Sequence, residues 1–252
     1  NLENEVKRCD DGRADYIHLD VMDGKFVPNT TFDHTKIKEL RSLTVIPFDT
    51  HLMINEPVKQ IQNYIDAGSD IVTVHAEVCD ESSFGEIHDL LKSNKTSIGL
   101  AINPDTSLPD WSKKFISSLD QIIVMSVVPG KSGQKYIENT HEKTKNLMVN
   151  LKENGFTGYI EADGGVTLDN IGQCFADGAR AFVGGSAIIG QTDVRLVIRE
   201  FRKQVLRTRR KLLIQKANEL GGTELVNKWI DLHVLGKKKD ELTQIATELG
   251  YQ

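Results

Sequence analysis

Short apolar segments recur along this chain at fairly regular intervals, and most of them are separated by stretches of helical periodicity. Seven segments are predicted to be strands, at residues 16–21, 44–54, 71–77, 97–103, 122–127, 159–163 and 181–186. Four of the junctions that enter a strand contain a glycine suited to end the preceding helix: Gly12, Gly68, Gly155 and Gly178. This alternation of helix and strand predicts a parallel sheet of the α/β class.

Polar side chains at the strand ends favour a barrel over a doubly wound sheet. Nearly every predicted strand ends in such groups, which are His18 and Asp20, His51, His75 and Glu77, Asn103, Ser126, Asp163, and Gly185 with Ser186. In a (β/α)8 TIM barrel all the carboxyl ends of the strands converge on one mouth. A doubly wound sheet would concentrate functional groups at a single crevice instead. The spread over seven strands therefore predicts the barrel.

The predicted barrel is one strand short. Residues 2–11 already have a helical pattern, so the strand that would precede them, the first of eight, is the missing one. We expect either that the chain is truncated ahead of this helix or that it is a variant without the strand. The barrel pattern stops near residue 193, and helices are predicted over 194–219, 223–235 and 240–249. The sequence thus predicts a barrel domain at 1–193 and a helical C-terminal extension at 194–252.

Composition narrows the class of protein. The 252 residues carry a net charge of −5 and contain no apolar run of about twenty residues, the length needed to span a membrane. Three scattered cysteines and the lack of a signal-like start predict a cytoplasmic protein without disulfides. Nine Arg and Lys residues lie in 195–216. Because no aromatic residues interleave with them after Phe201, we expect a solvated or protein-facing helix surface rather than a nucleic-acid site.

Two imidazoles and two carboxylates stand out as candidate chemistry. His18 and Asp20 are two residues apart, so both point to one face of a strand, as half of a metal site or as an acid/base pair. His51 and Asp163 end two other strands. Converging at a barrel mouth, the four would form a mixed nitrogen and oxygen site suited to one divalent metal ion, Zn²⁺, Fe²⁺, Mn²⁺ or Co²⁺.

Three glycine-rich loops indicate a phosphate site beside these groups. Counting the missing strand, the loops follow strands six, seven and eight and contain Gly130, Lys131, Ser132, Gly133, Gly164, Gly165, Gly185 and Ser186. Barrels often hold phosphate with backbone N–H groups of the last loops, which glycine allows to approach closely. A Walker A loop is excluded, since Met125 stands where its first glycine is required.

At this point the sequence resembles the ribulose-phosphate 3-epimerase family over about residues 1–192. The motifs that carry the resemblance are residues 18–29 (HLDVMDGKFVPN), 51–53 (HLM), 74–77 (VHAE), 103–106 (NPDT), 124–130 (VMSVVPG), 163–166 (DGGV) and 185–188 (GSAI). The resemblance implies conversion of D-ribulose 5-phosphate to D-xylulose 5-phosphate in the pentose phosphate pathway. We also expect a homo-oligomer.

The resemblance also implies residue roles. A divalent metal would be held by His18, Asp20, His51 and Asp163 and would stabilise an enediolate. Asp20 would remove the C3 proton, and Asp163 would deliver a proton to the opposite face. Besides His51, the residues implied to contact the substrate are Met22, Met53, Met125 and the glycine-rich loops, the latter holding the phosphate.

Departures from the family pattern keep two alternatives open. No segment matches the serine-bearing first strand of the family, and Val128 and the pair Lys131 and Ser132 replace its usual residues beside the phosphate loop. The chain could instead epimerise a six-carbon ketose 6-phosphate. It could also be a non-catalytic regulatory protein that binds a sugar phosphate, although such binding alone would not require all four metal-ligand residues.

Overall fold

The fold is built on one parallel sheet. The computed structural model describes residues 1–131 and 133–219. Its strands are β1 (Ile17–Met22), β2 (Phe48–Met53), β3 (Ile71–His75), β4 (Ser97–Ile102), β5 (Gln121–Met125), β6 (Tyr159–Asp163) and β7 (Ala179–Val183). They pair in sequence order, all in parallel, so that β1 and β7 are the two edges of the sheet.

Seven α-helices accompany the strands within the described residues. They are α1 (Leu2–Asp11), α2 (His34–Arg41), α3 (Ile61–Asp66), α4 (Glu81–Ser93), α5 (Asn139–Glu153), α6 (Ile171–Asp177) and α7 (Val194–Glu219). Between β4 and β5 the connection contains only 3₁₀ turns, at Asp110–Lys114 and Ile116–Ser118. Helix α4 shows how the sequence specifies these elements. Asp80 and Ser83 form a reciprocal capping box, and Phe84, Ile87 and Leu91 recur on its buried face.

Alternation along the strands separates two chemically different faces. Leu19, Leu52 and Val74 belong to the main hydrophobic core, which lies between the sheet and the helices. Their neighbours in sequence point to the other face, as the alternation of a strand requires. That second face carries most of the polar side chains predicted to be functional, so the strand pattern itself places the site.

Side-chain contacts across the polar face show that the sheet curls. Gln121 on β5 donates to Asp49 on β2 at 3.1 Å, although two strands lie between them. His18 on β1 lies 3.2 Å from Glu161 on β6, five strands away in the sheet order. Side chains of strands so far apart can meet only on the concave face of a strongly curved sheet. The curled seven-stranded parallel sheet with outer helices confirms the predicted barrel class.

The predicted elements agree with the structure except at some ends. The predicted helix at 2–11 and the predicted strand at 159–163 match α1 and β6. The strand predicted at 71–77 ends at His75, because Ala76–Val78 forms a 3₁₀ turn. The strand predicted at 181–186 lies earlier, at Ala179–Val183, and is followed by the helical turn Gly185–Ile189.

The last described helix, α7, packs on the barrel. Its buried residues include Val194, Ile198 and Phe201, and it contacts α1 and α6. Arg202 pairs with Asp15 at 2.9 Å, so part of the basic surface of α7 faces the barrel. The helices predicted at 223–235 and 240–249 lie outside the described residues, and the boundary between two domains at 193/194 stays a prediction. Over the described part of the chain, no helix combines the length and apolarity needed to cross a membrane.

Gly99 offers a test of the interior packing. A Cβ atom there would lie 1.9 Å from Oγ1 of Thr73, its partner on β3. We expect Gly99→Ala to lower the free energy of unfolding by about 1–3 kcal/mol, because overpacking a dense interior forces neighbours apart. Urea denaturation would measure the loss, and the added change Thr73→Ala should recover part of it.

Gly85→Ala is the matched control. This glycine lies within α4, and a Cβ there would meet only the ring of Phe115 at an ordinary 3.7 Å. Since alanine favours a helix by up to about 1 kcal/mol over glycine, Gly85→Ala should stabilise the protein. Equal destabilisation by both substitutions would show that the Thr73 contact is not the cause.

Candidate active site

Strand register brings the predicted chemical groups together. Asp20 on β1 is paired with His51 on β2, and Met125 on β5 is paired with Asp163 on β6. Because side chains at positions i and i+2 share a face, His18 lies beside Asp20 on the concave side. Two imidazoles and two carboxylates from three strands therefore meet on the concave face, as the sequence predicted. Only Asp163 ends its strand, whereas Asp20 and His51 lie two residues before the ends of β1 and β2.

The four side chains are close enough to share one ion. Nδ1 of His51 lies 3.1 Å from Oδ1 of Asp20 and 3.4 Å from Oδ2 of Asp163. Nε2 of His18 lies 3.4 Å from Oδ1 of Asp20 and 3.8 Å from Oδ2 of Asp163. One ligand atom from each residue falls within 4.8 Å of all the others.

The buried nitrogen of His18 tests whether a metal would fit. Its Nε2 atom is buried and has no hydrogen-bond partner among the described residues. Such a group is costly unless something satisfies it, and this one points at two carboxylates. Two imidazoles and two carboxylates are a donor set that suits Zn²⁺, Fe²⁺, Mn²⁺ or Co²⁺. The residues present therefore fit a divalent metal.

Opposite charges dominate the electrostatics of this cluster. Burial lowers the pKa of His51, but hydrogen bonds with Asp163 and Asp20 outweigh it and raise the pKa to about 9. Desolvation raises the pKa of Asp20, but its interactions with the His18 and His51 rings outweigh it and hold the pKa well below its usual value. The cluster is thus arranged to keep Asp20 ionised, the form that can accept a proton or bind a cation.

The other ring nitrogen of His18 contacts two further carboxylates, Asp49 and Glu161, which sequence reasoning did not single out. Nδ1 of His18 is 2.8 Å from Asp49 and 3.2 Å from Glu161. Burial and the nearby Asp49 raise the pKa of Glu161 to about 8. Burial alone would raise the pKa of Asp49. The charge of His18 and the hydrogen bonds of Asp49 with His18, Glu161 and Gln121 outweigh it, so the pKa of Asp49 is lowered overall. The two carboxylates thus differ in the ease with which they ionise.

His75 and Glu77 extend the cluster on the other side of the His51 ring. Nε2 of His51 and Nε2 of His75 are 2.8 Å apart, and Nδ1 of His75 is 3.0 Å from Oε2 of Glu77. The sequence placed His75 and Glu77 at a strand end but gave them no role. Their spacing of two residues, the same as that of His18 and Asp20, was the available signal.

The three methionines occupy the positions expected beside the site. Met22 and Met53 are register partners two residues beyond Asp20 and His51. Met53 and Met125 are almost fully buried, whereas Met22 is half-buried. Met125 packs in a small apolar cluster with Ala101, Ile123 and Val127, separate from the main core. Contact with a substrate stays a prediction for all three.

Two of the glycine-rich loops are tied together. The Ser126 hydroxyl donates to the carbonyl of Gly164 at 2.6 Å. Gly164 and Gly165 have positive φ angles of +113° and +64°, and a Cβ on either would clash, with Val127 at 2.4 Å or with the Tyr136 nitrogen at 2.5 Å. Glycine is therefore required at both positions.

The outer ends of the predicted phosphate loops are more open. Gly130 has φ +103°, and its carbonyl accepts a hydrogen bond from the Asn29 amide. The side chain of Gln134 donates to the carbonyl of Lys131 at 2.8 Å. A Cβ atom at Gly133 would meet nothing within 4 Å. Ser132 lies outside the described residues. Gly185 and Ser186 begin the turn Gly185–Ile189 and are exposed.

Comparison with known proteins identifies relatives of the whole barrel. The profile of the ribulose-phosphate 3 epimerase family matches residues 1–189. The chain is 39% identical to chloroplastic ribulose-5-phosphate-3-epimerase of Arabidopsis thaliana, over 76% of this chain and 68% of that protein. It is also 39% identical to ribulose-phosphate 3-epimerase of Bacillus subtilis, over 80% of this chain and 92% of that protein.

A solved structure supports the fold independently. KGPDC from Streptococcus mutans aligns with a TM-score of 0.62, at 16% identity, over 82% of this chain and 92% of that chain. At that identity the likeness concerns the barrel alone. The family profile and the relatives confirm the resemblance that began with the motif at residues 18–29: this chain is an enzyme of the ribulose-phosphate 3-epimerase family.

Proposed function

We propose that this enzyme interconverts D-ribulose 5-phosphate and D-xylulose 5-phosphate by inverting C3 with two carboxylates. The observation that carries the proposal is that Asp20 and Asp163 both approach the same ring nitrogen of His51, at 3.1 and 3.4 Å. One oxygen of each carboxylate lies within 4.8 Å of the other, so the two acids could act on opposite faces of a carbon placed between them. The relatives in Arabidopsis thaliana and Bacillus subtilis, both named as epimerases of this substrate class, support the choice of substrate.

The two carboxylates are unequally placed. The side chain of Asp20 is 42% exposed, whereas that of Asp163 is only 8% exposed. In the proposed reaction Asp20 removes the C3 proton of ribulose 5-phosphate, and Asp163 returns a proton to the other face. The reverse reaction exchanges these roles, since the same positions serve either epimer.

The neighbouring side chains would support this proton transfer. His18, Asp20, His51 and Asp163 would hold one divalent metal ion, which supplies positive charge to stabilise the negative charge developing on the substrate oxygen. Met22, Met53 and Met125 would exclude water from the reacting carbons. The loops at 130–133, 164–165 and 185–186 would hold the phosphate with backbone N–H groups.

Hydrogen exchange distinguishes the two carboxylates. In Asp163→Asn, Asp20 remains as the base, so C3 of ribulose 5-phosphate should exchange its hydrogen with ²H₂O without epimerisation. In Asp20→Asn, exchange should persist only from xylulose 5-phosphate. Epimerisation by either variant should fall about 10²–10⁴-fold, the usual contribution of general acid–base catalysis. NMR of both sugar phosphates in ²H₂O would measure the exchange at C3 and the epimerisation together.

Asp23→Asn is a nearby control. Asp23 accepts N–H groups of Lys25, Phe26 and Asn55 in the loop after β1 and stands outside the four-residue cluster. Its loss should change the epimerisation rate less than tenfold. Rapid epimerisation by either Asp20→Asn or Asp163→Asn would contradict the two-carboxylate mechanism. A six-carbon ketose 6-phosphate should be assayed in parallel, because a clear preference for it would overturn the assignment of substrate.

Metal dependence can be tested on stability as well as on rate. Metal that binds the folded state alone stabilises it by about 2.7 kcal/mol at a concentration 100 times its Kd. We therefore expect Zn²⁺ or Mn²⁺ to raise the Tm of the chelator-treated protein and to restore its activity. His51→Gln should lose the Tm shift. Full epimerase activity after exhaustive metal removal would contradict the metal role.

The phosphate site can be tested at Gly185. A Cβ there meets nothing within 4 Å, so a side chain can be added without steric cost. Gly185→Asp should raise the KM for the sugar phosphate at least tenfold through charge repulsion, while Gly185→Asn, of the same shape, should raise it much less. Tm should change little in both. Equal KM values for the two variants would place the phosphate elsewhere.

The remaining expectations concern the protein in the cell. Its three cysteines, Cys9, Cys79 and Cys174, are all free thiols. This supports the proposal that the enzyme works in the cytoplasm. Assembly into a homo-oligomer stays a prediction.

A further inference from the structure

His51 is held between two different hydrogen-bonding environments. The ring is fully buried, with Nδ1 facing Asp20 and Asp163 and Nε2 facing His75. A neutral imidazole carries its proton on one nitrogen only. When His51 binds a metal through Nδ1, its one remaining proton must lie on Nε2, so the suitability of the ring as a ligand depends on what this far nitrogen contacts.

The far side of His51 determines where that proton lies. A carboxylate such as Glu77 can only accept, so the 3.0 Å contact with His75 requires a proton on Nδ1 of His75. In that neutral ring Nε2 is the acceptor. The 2.8 Å contact between Nε2 of His75 and Nε2 of His51 then requires His51 to be the donor. The chain of bonds runs in one direction, from His51 through His75 to Glu77.

Glu77, the end of the chain, is itself fixed. Its second oxygen accepts the backbone N–H of Asn103 at 2.7 Å. Lys143 on α5 donates to the carbonyl of the same Asn103, which secures this loop. On the other side, the ring of Phe26 packs against His75 with centroids 4.6 Å apart. Neither His75 nor Glu77 is free to turn away.

We propose that His75 and Glu77 are positioning residues that fix the His51 tautomer with its Nδ1 lone pair directed at the candidate metal site. This inference rests on the proposed function, since it takes His51 as a ligand. Metal-bound histidines usually donate their second N–H to a carboxylate or carbonyl. His18 meets that rule directly through Asp49, at 2.8 Å. His51 meets the same rule indirectly, because its Nε2 donates to His75, and His75 in turn donates to the carboxylate of Glu77.

Metal binding by the full chain tests the proposal without relying on turnover. Zn²⁺ affinity is measured by competition with a chromophoric chelator, and ligand geometry by the visible spectrum of the Co²⁺ form. The amide of Glu77→Gln can donate as well as accept, so it no longer fixes the direction of the hydrogen bonds between His51 and His75. His75→Leu removes the acceptor for the Nε2 proton of His51. Each should weaken Zn²⁺ binding about 10–100-fold, the usual cost of losing such a partner, and should alter the Co²⁺ spectrum. His75→Gln, whose amide oxygen can accept from His51, should recover part of the affinity.

Kinetics add a second readout. If His75 and Glu77 act through the metal ligand, excess Zn²⁺ should restore much of the kcat of Glu77→Gln, and the KM for the sugar phosphate should be unchanged. His88→Leu is the matched control. His88 is another buried histidine, bonded to Asp89 and Ser118 on the outer helix layer. Its loss should leave Zn²⁺ affinity unchanged.

The outcomes separate this inference from the function on which it rests. If the unaltered chain binds neither Zn²⁺ nor Co²⁺, or if His51→Gln binds as tightly, the metal site is wrong and the inference falls with it. If His51→Gln loses binding while Glu77→Gln and His75→Leu retain full affinity and the Co²⁺ spectrum, only the inference is overturned. Should His75→Leu fail to fold, Glu77→Gln decides alone, because it preserves the shape of the side chain.

Discussion

The concave face of the sheet concentrates ionisable groups that cannot be buried singly. His51, His75, Asp49 and Glu161 have almost no exposure to water. An isolated charge in such a place is strongly unfavourable, so each group must be paired or neutralised by another. Strand alternation sends the apolar residues outward to the helices and leaves the polar ones to satisfy one another. The arrangement of the candidate site follows from that requirement.

Sequence reasoning succeeded where the chemistry lies at a strand end. His18 and Asp20 share a face by alternation, His51 lies two residues before the end of β2, and Asp163 ends β6, so a barrel had to bring them together. Their convergence in the structure agrees with that expectation. Gly164 and Gly165 were predicted to let the backbone approach a phosphate, which stays a prediction; the structure adds that both have positive φ angles, which favour glycine. Local pattern and strand polarity were sufficient for these features.

The interior partners were beyond such reasoning. Asp49, Gln121 and Glu161 lie within or at the start of their strands, away from the carboxyl ends where functional side chains were expected. Only the curvature of the sheet brings β5 into contact with β2 and β6 into contact with β1, and curvature leaves no local signal. The end of β3 was missed for a related reason. The apolar pattern continues through Val78, but the backbone turns at Ala76, which places Glu77 against His75.

The near-equal distances from His51 to the two carboxylates have a kinetic consequence. Under the proposed roles, neither carboxylate is dedicated to one direction, and no side chain has to move between the forward and reverse reactions. As for any catalyst, the ratio of the two sugar phosphates relative to equilibrium sets the direction of net conversion, and this site could follow a reversal of that ratio without rearranging.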